Sequence, residues 1–150
     1  MGMAVPDPLA LEEQVCFALA VASREVVASY RSVLEPLGLT HPQYLVMLAL
    51  WQHQEMSVKD LSATLHLDPG TLSPLLKRLE AAGLVSRRRS SADERVLVVS
   101  TTDDGLALRR RALAVPSTML ARLGMSEHDL TATNAVLHRI IDAAHESTSA

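Results

Sequence analysis

The apolar residues of the chain recur mostly at helical spacing, and together with capping and stop signals they predict six helices. The first helix is expected over residues 9–34 and ends at the sequence EPLG of residues 35–38. The second is expected over about 43–53, after the capping pattern THPQ of residues 40–43. Apolar residues lie on all of its sides, which predicts a buried helix.

Two helices in the middle of the chain have the pattern of a helix-turn-helix. The first opens at the capping sequence SVKD of residues 57–60, and the second follows Asp68 as N-cap, with Pro69 at the first helical position. Pro74 costs the second helix one backbone hydrogen bond, and Gly83 ends it. Its inner face carries leucines at i, i+3, i+4 and i+7, which are Leu72, Leu75, Leu76 and Leu79.

A two-stranded hairpin is expected next, with strands over 84–89 and 95–100 and a polar tip over 90–94. Another helix starts near residues 101–104 and continues toward Leu123 with a kink at Pro116. A last helix starts at the sequence SEHD of residues 126–129, and residues 147–150 are expected to fray. The predicted fold class is therefore mainly α with a small β-wing, a winged helix-turn-helix with additional N- and C-terminal helices.

Composition agrees with one folded domain, since 48% of the 150 residues are hydrophobic and 21% are charged. The longest apolar run, residues 15–22, is too short to span a membrane, and the N-terminus lacks the basic start of a secretory signal. Cys16 is the single cysteine, which excludes an internal disulfide and a cysteine-rich zinc site. We therefore expect a cytoplasmic protein with no membrane partner, no metal and no cofactor.

The net charge of −3 conceals a basic segment. Residues 1–56 hold six acidic and two basic residues, whereas residues 77–111 hold nine basic and five acidic ones. This segment covers the outer end of the second helix of the helix-turn-helix and the wing, which predicts binding to double-stranded DNA. We expect the hydroxyls of Thr71 and Ser73 to reach base edges, and Lys77 and Arg78 to reach phosphates.

The wing carries the other candidate DNA contacts. Arg87 and Arg95 lie on its two strands, and an arginine near a hairpin tip can enter a minor groove. Asp93 is expected to pair with Arg95 or Arg87 and to hold its direction. The alternative interpretation of the wing arginines is a solvated strand edge that discourages aggregation.

The sequence resembles the MarR family of winged-helix repressors from about residue 11 to residue 145. The similarity is most specific in residues 67–80 (LDPGTLSPLLKRLE), 83–85 (GLV), 93–95 (DER) and 101–105 (TTDDG). The resemblance implies a homodimer formed by helical regions over 1–35 and 112–150, intertwined with a DNA-binding region over 36–111. It also implies that Asp93 and Arg95 bring the wing to a minor groove of a pseudo-palindromic operator.

By itself, Cys16 is either a small apolar core residue or a redox sensor. Residues 14–19 (QVCFAL), 22–24 (ASR) and 38–47 (GLTHPQYLVM), together with Tyr30, are similar to the organic-hydroperoxide-sensing branch of the family, OhrR. The resemblance implies that organic hydroperoxides oxidise Cys16 and that DNA is then released. It further implies that Tyr30 is one of two residues that hydrogen-bond the reactive cysteine. His41 stands at the position of the second.

The spacing of Cys16 and Tyr30 makes an independent demand on such a sensor. The two residues are fourteen positions apart on one predicted helix, which separates them by about 21 Å along its axis at about 1.5 Å per residue. They cannot touch within one subunit. Contact requires the antiparallel first helix of a second subunit in a two-fold homodimer.

Three functions remain open. The first is a dimeric repressor that releases its operator when an organic hydroperoxide oxidises Cys16, with a low-molecular-weight thiol as a candidate partner because the chain has no second cysteine. The second is a MarR-type repressor released by a small aromatic or phenolic ligand, with Cys16 structural. The third is a thiol enzyme or a protein-interaction module. No phosphate-binding loop or nucleophile elbow appears in the sequence, and we expect no enzyme.

Overall fold

Residues 6–150, the part of the chain that this computed structural model describes, contain seven α-helices, three β-strands and two short 3₁₀ turns at Leu11–Glu13 and Glu35–Leu37. The α-helices and strands are numbered below. In chain order they are α1 (Val15–Leu34), α2 (His41–His53), β1 (Glu55–Ser57), α3 (Val58–Leu65), α4 (Pro69–Ala81), β2 (Val85–Arg89), β3 (Leu97–Thr101), α5 (Asp103–Ala112), α6 (Val115–Arg122) and α7 (Glu127–Ser149). The predicted winged helix-turn-helix is confirmed, with α3 and α4 as its two helices and β2 and β3 as the wing.

Polar N-caps begin most of these helices where the sequence predicted them. Thr40 and Gln43 form a complete capping box at α2, with each side chain bonded to the other residue's backbone N–H. Asp68 caps α4, and its Oδ1 accepts from Thr71 N at 2.8 Å. Ser126 caps α7 in the same manner as Thr40 caps α2. These caps satisfy the first N–H groups of each helix and so fix where it starts.

The chain divides into two compact units, one that ends at Leu113 and one over Ala114–Ala150. In the first unit, α1 packs against α2, so the N-terminal helix belongs to the same unit as the helix-turn-helix. The second unit holds α6 and α7, and α7 has no buried residue. The division into a dimerisation region over 1–35 and 112–150 and a DNA-binding region over 36–111 remains a prediction, and residues 1–5 of it lie outside the described residues.

Leucines and other aliphatic residues form the core of the first unit. The four predicted inner-face leucines of α4 are all buried, and Pro74 is accommodated inside this helix. The largest fully buried side chains are Leu34, Met47, Leu50, Leu61, Leu72, Leu76, Leu79, Val46, Val85 and Val99. The Trp51 indole N–H donates to the Gly105 carbonyl at 2.9 Å and ties α2 to α5. This core holds the outer face of α4 and the wing in fixed positions.

The sheet has three strands rather than the predicted two. β1 pairs antiparallel with β3 in the register Glu55↔Ser100 and Met56↔Val99, and β3 pairs with β2 on its other side. The hairpin prediction was thus incomplete, because a strand of three residues is too short to show an alternating pattern.

Two helix boundaries were predicted wrongly. The first helix begins at Val15 rather than at residue 9, because Gln14 is extended and its side-chain amide donates to the carbonyls of Pro8 and Ala10. The helix predicted from residue 101 toward residue 123 is two helices, α5 and α6. Pro116 lies in the first turn of α6, where no N–H is needed, and so it marks a helix start rather than a kink.

The predicted fraying of the last residues was also wrong. α7 continues to Ser149, and the hydroxyls of Ser147, Thr148 and Ser149 donate to the carbonyls of Ala144 and His145 one turn earlier. Within residues 6–150, no helix combines the length and the apolar character needed to cross a bilayer.

Candidate functional site

The outer face of α4 is polar and exposed. The predicted contacts Thr71, Ser73, Lys77 and Arg78 all lie on it, opposite the buried leucines. The Thr71 hydroxyl donates to Asp68 Oδ2 at 3.1 Å, and together with the Thr71 backbone N–H it holds the pKa of the Asp68 carboxyl below its usual range. The N-terminal end of α4 therefore presents a firmly capped first turn with exposed hydroxyls.

At the wing tip, Asp93 pairs with Arg95, which is one of the two pairings that the sequence predicted. Asp93 Oδ1 accepts from Arg95 N at 3.0 Å and from Arg95 Nε at 3.1 Å, and Oδ2 accepts from Nη2 at 3.3 Å. These hydrogen bonds lower the pKa of Asp93. The Arg95 side chain is nevertheless 91% exposed, so its guanidinium is directed by Asp93 while it remains open to a ligand.

The arginines on β2 have different surroundings. Arg87 binds Glu80 at the end of α4, with Nη2 3.1 Å from Oε1, and only 21% of the Arg87 side chain is exposed. Arg88 pairs with Glu55 of β1 across the sheet at 2.7 Å. Arg89 is exposed at the wing end of the strand. The alternative pairing of Asp93 with Arg87 does not occur.

Cys16 lies in the first turn of α1 and is exposed. Its neighbours Val15 and Phe17 are 62% and 40% exposed, so an apolar surface surrounds the thiol. Tyr30 is on the same unbroken helix, about four turns away. The structure therefore confirms the premise that Cys16 and Tyr30 of one chain cannot touch.

Tyr30 instead contacts the start of α2. The centroids of the Tyr30 and His41 rings are 5.0 Å apart, and those of Tyr30 and Tyr44 are 5.9 Å apart. Burial raises the pKa of Tyr30 and lowers that of His41, which favours a protonated phenol and a neutral imidazole. Tyr44 was not predicted as part of this cluster, although its spacing of three residues from His41 on one helix places both on one face.

A cleft of about 790 Å³ lies beside this cluster. Arg24 and Arg31 of α1 are among its lining residues. The rest of the lining comes from α1, from the link over residues 35–40 and from the start of α2, and consists of Ser23, Val27, Ala28, Glu35, Gly38, Leu39, Thr40, His41 and Pro42. Within residues 6–150, no three His, Cys, Asp or Glu side chains are grouped closely enough to hold a metal ion.

Comparison with known proteins decides the family. The model of the MarR family matches residues 39–97. The organic hydroperoxide resistance transcriptional regulator of Bacillus subtilis (strain 168) is 41% identical over 140 residues, covering 93% of this chain and 95% of the relative. The chain belongs to the MarR family. It is a transcriptional repressor of the MarR type, a DNA-binding regulator and not an enzyme.

Solved MarR-type structures agree with this assignment. Reduced AbfR bound to DNA superposes with a TM-score of 0.78 at 29% identity, over 91% of this chain and 93% of AbfR. CouR from Rhodococcus jostii RHA1 bound to p-coumaroyl-CoA superposes with a TM-score of 0.76 at 27% identity, over 88% of this chain and 94% of CouR. The fold class predicted from sequence is confirmed.

Proposed function

We propose that this MarR-type repressor works as a homodimer and releases its operator when an organic hydroperoxide oxidises Cys16. The observation that carries the proposal is the separation of Cys16 from the cluster of Tyr30 and His41 along one continuous helix. Each chain offers an exposed thiol at one end of α1 and a pair of hydrogen-bonding rings at the other. A two-fold axis across α1 completes two identical sites.

Exposed apolar residues support the dimer. Val15 and Phe17 of α1 remain accessible, as do Leu130, Val136 and Ile141 of α7. Exposed apolar residues on long helices indicate surfaces that pack on another protein surface. A second copy of the chain provides such helices, and it also supplies a second recognition helix, so that the dimer has one for each half of a pseudo-palindromic operator.

DNA binding is proposed to use α4 in the major groove and the wing in the minor groove. The exposed Thr71 and Ser73 are the proposed contacts to base edges, and the exposed Lys77 and Arg78 are the proposed contacts to phosphates. Arg95, directed by Asp93, is the proposed minor-groove contact. Arg87 was expected to contact DNA from its position in the sequence, but Glu80 binds its guanidinium in the free protein.

The chemistry at Cys16 is a two-electron oxidation. The sulfur attacks the terminal oxygen of the hydroperoxide, an S–O bond forms, the O–O bond breaks, and sulfenic acid and an alcohol result. The proton of the thiol passes to the leaving alkoxide, and we propose that the partner's His41 hydrogen-bonds the reacting groups during this transfer. The apolar side chains of Val15 and Phe17 favour an organic hydroperoxide over hydrogen peroxide.

Sulfenic acid is larger and more polar than a thiol, so it disturbs the hydrogen bonds to Tyr30 and His41. A shift of α1 then changes the spacing of the two recognition helices, and the operator is released. Since the chain has no second cysteine, a low-molecular-weight thiol completes the switch by condensing with the sulfenic acid to a mixed disulfide and water. Cysteine oxidation also occurs in the related AbfR, which has been solved bound to DNA in reduced and overoxidised forms and separately in a disulfide form. Of these states, the disulfide form corresponds best to the mixed disulfide proposed here.

The test is fluorescence anisotropy on a DNA duplex from the region upstream of the protein's own gene, at fixed salt, with and without cumene hydroperoxide. The wild type and Cys16→Ser are compared, and a thiol reductant follows oxidation. We expect the oxidised wild type to release DNA, the variant to hold it, and the reductant to restore binding. If both proteins hold DNA through oxidation, Cys16 is not the switch.

The cleft beside the cluster favours a second candidate function, release by a small aromatic or phenolic ligand with Cys16 structural. Arg24 and Arg31 make the cleft basic, while Val27 and Leu39 give it apolar walls, a combination that suits an aromatic acid. Release by salicylate that persists in Cys16→Ser and weakens in Arg24→Ala supports this candidate. If hydroperoxide releases DNA from the wild type but not from Cys16→Ser, ligand binding in the cleft is excluded as the main switch.

A further inference from the structure

One carboxylate joins the recognition helix to the wing. Glu80, in the last turn of α4, accepts three hydrogen bonds from Arg87 of β2: from the backbone N at 3.2 Å, from Nε at 3.4 Å and from Nη2 at 3.1 Å. The contact uses both carboxylate oxygens and includes the strand backbone. It therefore restrains the path of β2 as well as the Arg87 side chain.

This contact lies at the junction between α4 and the wing. β2 is an edge strand, and only residues 82–84 separate it from the end of α4. Gly83 in this link has a φ of +77°, so the chain turns sharply there. Glu80 precedes this turn and Arg87 follows it, so their contact joins the two ends of the link. The conformation of this link sets the direction of the wing relative to α4.

We propose that Glu80 and Arg87 form a latch that fixes the angle between α4 and the wing, so that Arg87 is a positioning residue for DNA binding. The inference rests on the proposed use of α4 and the wing in two different grooves. Two elements that enter neighbouring grooves bind tightly only if their spacing is set before the encounter. The latch also neutralises a carboxylate on the DNA-facing helix, where an unpaired negative charge would oppose phosphates.

The exposure of the arginines distinguishes their roles. Only 21% of the Arg87 side chain is exposed and it is held by Glu80, whereas the Arg95 side chain is 91% exposed. The side-chain hydrogen bonds from Arg87 also lower the pKa of Glu80. Both arginines are paired with a carboxylate, so their exposure makes the difference: the Arg95 side chain stays open to a phosphate, whereas most of the Arg87 side chain is covered.

The latch makes a counterintuitive prediction about charge. Removing a negative charge from a DNA-binding helix ordinarily strengthens binding, but Glu80→Ala opens the latch and is expected to weaken binding about fivefold, the scale of one well-formed exposed ion pair. Arg87→Ala is expected to weaken binding to a similar degree. The double variant is expected to bind no worse than Arg87→Ala, because both changes break the same contact.

The experiment measures Kd on the upstream duplex at several salt concentrations for the wild type, Glu80→Ala, Arg87→Ala and the double variant. Arg89→Ala is the matched control, since it removes the same charge from the same strand without touching Glu80. If Arg87 only positions the wing, Arg87→Ala binds DNA with the same slope of log K against log salt as the wild type. A direct phosphate contact reduces the slope of log K against log salt by about 0.9 per wing. A reduced slope in Arg87→Ala, together with Glu80→Ala binding DNA as well as or better than the wild type, overturns the proposal.

A second measurement needs no DNA. Hydrogen exchange over residues 85–101 is expected to accelerate in Glu80→Ala and Arg87→Ala to a similar extent, while Arg89→Ala exchanges like the wild type. Unchanged exchange in both latch variants overturns the proposal, whatever the DNA result. If the wild type does not bind the duplex, the proposed operator fails, and the exchange data alone then decide on the latch.

Discussion

The rings of Tyr30 and His41 meet where the C-terminal part of α1 contacts the start of α2, with centroids 5.0 Å apart and planes tilted by 57°. Both rings are partly removed from water, which raises the pKa of Tyr30 and lowers that of His41. One chain thus assembles a phenol donor and a neutral imidazole but places its own thiol about four helical turns away. In the proposed homodimer, the second chain supplies Cys16 to this pair.

Complementation between two inactive variants tests this composite site. Cys16→Ser removes the thiol, and the double variant Tyr30→Phe/His41→Ala removes the partner groups. Each homodimer is expected to hold DNA in the presence of cumene hydroperoxide. A heterodimer of the two, prepared with two affinity tags, contains one complete site, because the Cys16 of one chain faces the intact rings of the other. We expect it to recover peroxide-dependent DNA release.

Tyr44→Phe is the matched control for the ring variant, because Tyr44 contacts Tyr30 and belongs to the same cluster but was not assigned to the thiol. It is expected to respond to hydroperoxide like the wild type. A heterodimer that stays on DNA as firmly as both homodimers would contradict the two-fold site. It would show that the thiol and the rings do not act across the dimer.

The lowered pKa of His41 predicts a loss of stability in mild acid. Burial disfavours the charged imidazole in the folded protein, so the unfolded chain takes up this proton first as the pH falls below about 6.5. The His41 contribution to the free energy of unfolding is therefore complete at neutral pH and declines as the pH falls from about 6.5 toward the lower folded value. His41→Gln is expected to lose this part of the acid sensitivity.

Urea denaturation of the wild type and His41→Gln at pH 8, 6 and 5 measures the effect. The carboxyls with lowered pKa, Asp68, Glu80, Asp93 and Asp129, lose their contribution only at more acidic pH, as each is protonated below its ordinary value. Above about pH 5, the difference in the free energy of unfolding between the two proteins therefore reports on the His41 imidazole and not on these carboxyls. Equal acid sensitivity of the two proteins in that window would exclude His41 as its source.

The features that sequence predicts best here are those set by local chemistry. Asp68 with Pro69 marks the start of α4, and leucines at helical spacing mark its inner face, because capping and amphipathic packing act within a few residues. The distance between Cys16 and Tyr30 follows from helix geometry alone once the helix is continuous.

Contacts between distant segments were beyond local patterns. The three residues of β1 form a strand only because β3 offers an edge. Arg87 looked like a free wing arginine, since a contact with Glu80 depends on the turn at Gly83. Residue type predicts that an arginine binds an anion, but the fold decides which one.

The pairing of Asp93 with Arg95 predicts that an acidic residue promotes DNA binding. Arg95→Ala is expected to weaken binding to the upstream duplex and to lower the salt slope by about 0.9 per wing, because a cationic contact is lost. Asp93→Asn keeps the size of the side chain but loses the charged acceptor for the Arg95 guanidinium. We expect it to weaken binding with the slope unchanged.

Glu94→Gln is the matched control, since it removes the same charge from the neighbouring exposed residue. It is expected to bind DNA as well as the wild type or slightly better. If Asp93→Asn behaves like this control in anisotropy titrations, Asp93 does not direct Arg95.

The close approach of α5 to the end of the α4–β2 link predicts that Gly105 does not tolerate a side chain. A Cβ at this position would overlap the carbonyl oxygen of Leu84, which itself accepts from Thr102 N at 3.1 Å. The Gly105 carbonyl also accepts from the Trp51 indole, so α5 cannot move away without loosening a second contact. Gly105→Ala is expected to lower the free energy of unfolding by about 1–3 kcal/mol, the usual cost of overpacking.

Gly70→Ala provides the comparison in urea denaturation. Gly70 is also helical, but the nearest atom to its Cβ would be the side-chain oxygen Asp68 Oδ1 at 3.1 Å, which has to move by only a few tenths of an ångström and can keep its cap on Thr71 N. Alanine has a higher helix propensity than glycine, so we expect Gly70→Ala to leave the free energy of unfolding unchanged or to raise it. Equal stability of the two variants would mean that α5 can shift away from Leu84 at little cost. In that case the wing, which begins at Val85, would be attached to the core less rigidly than these contacts indicate.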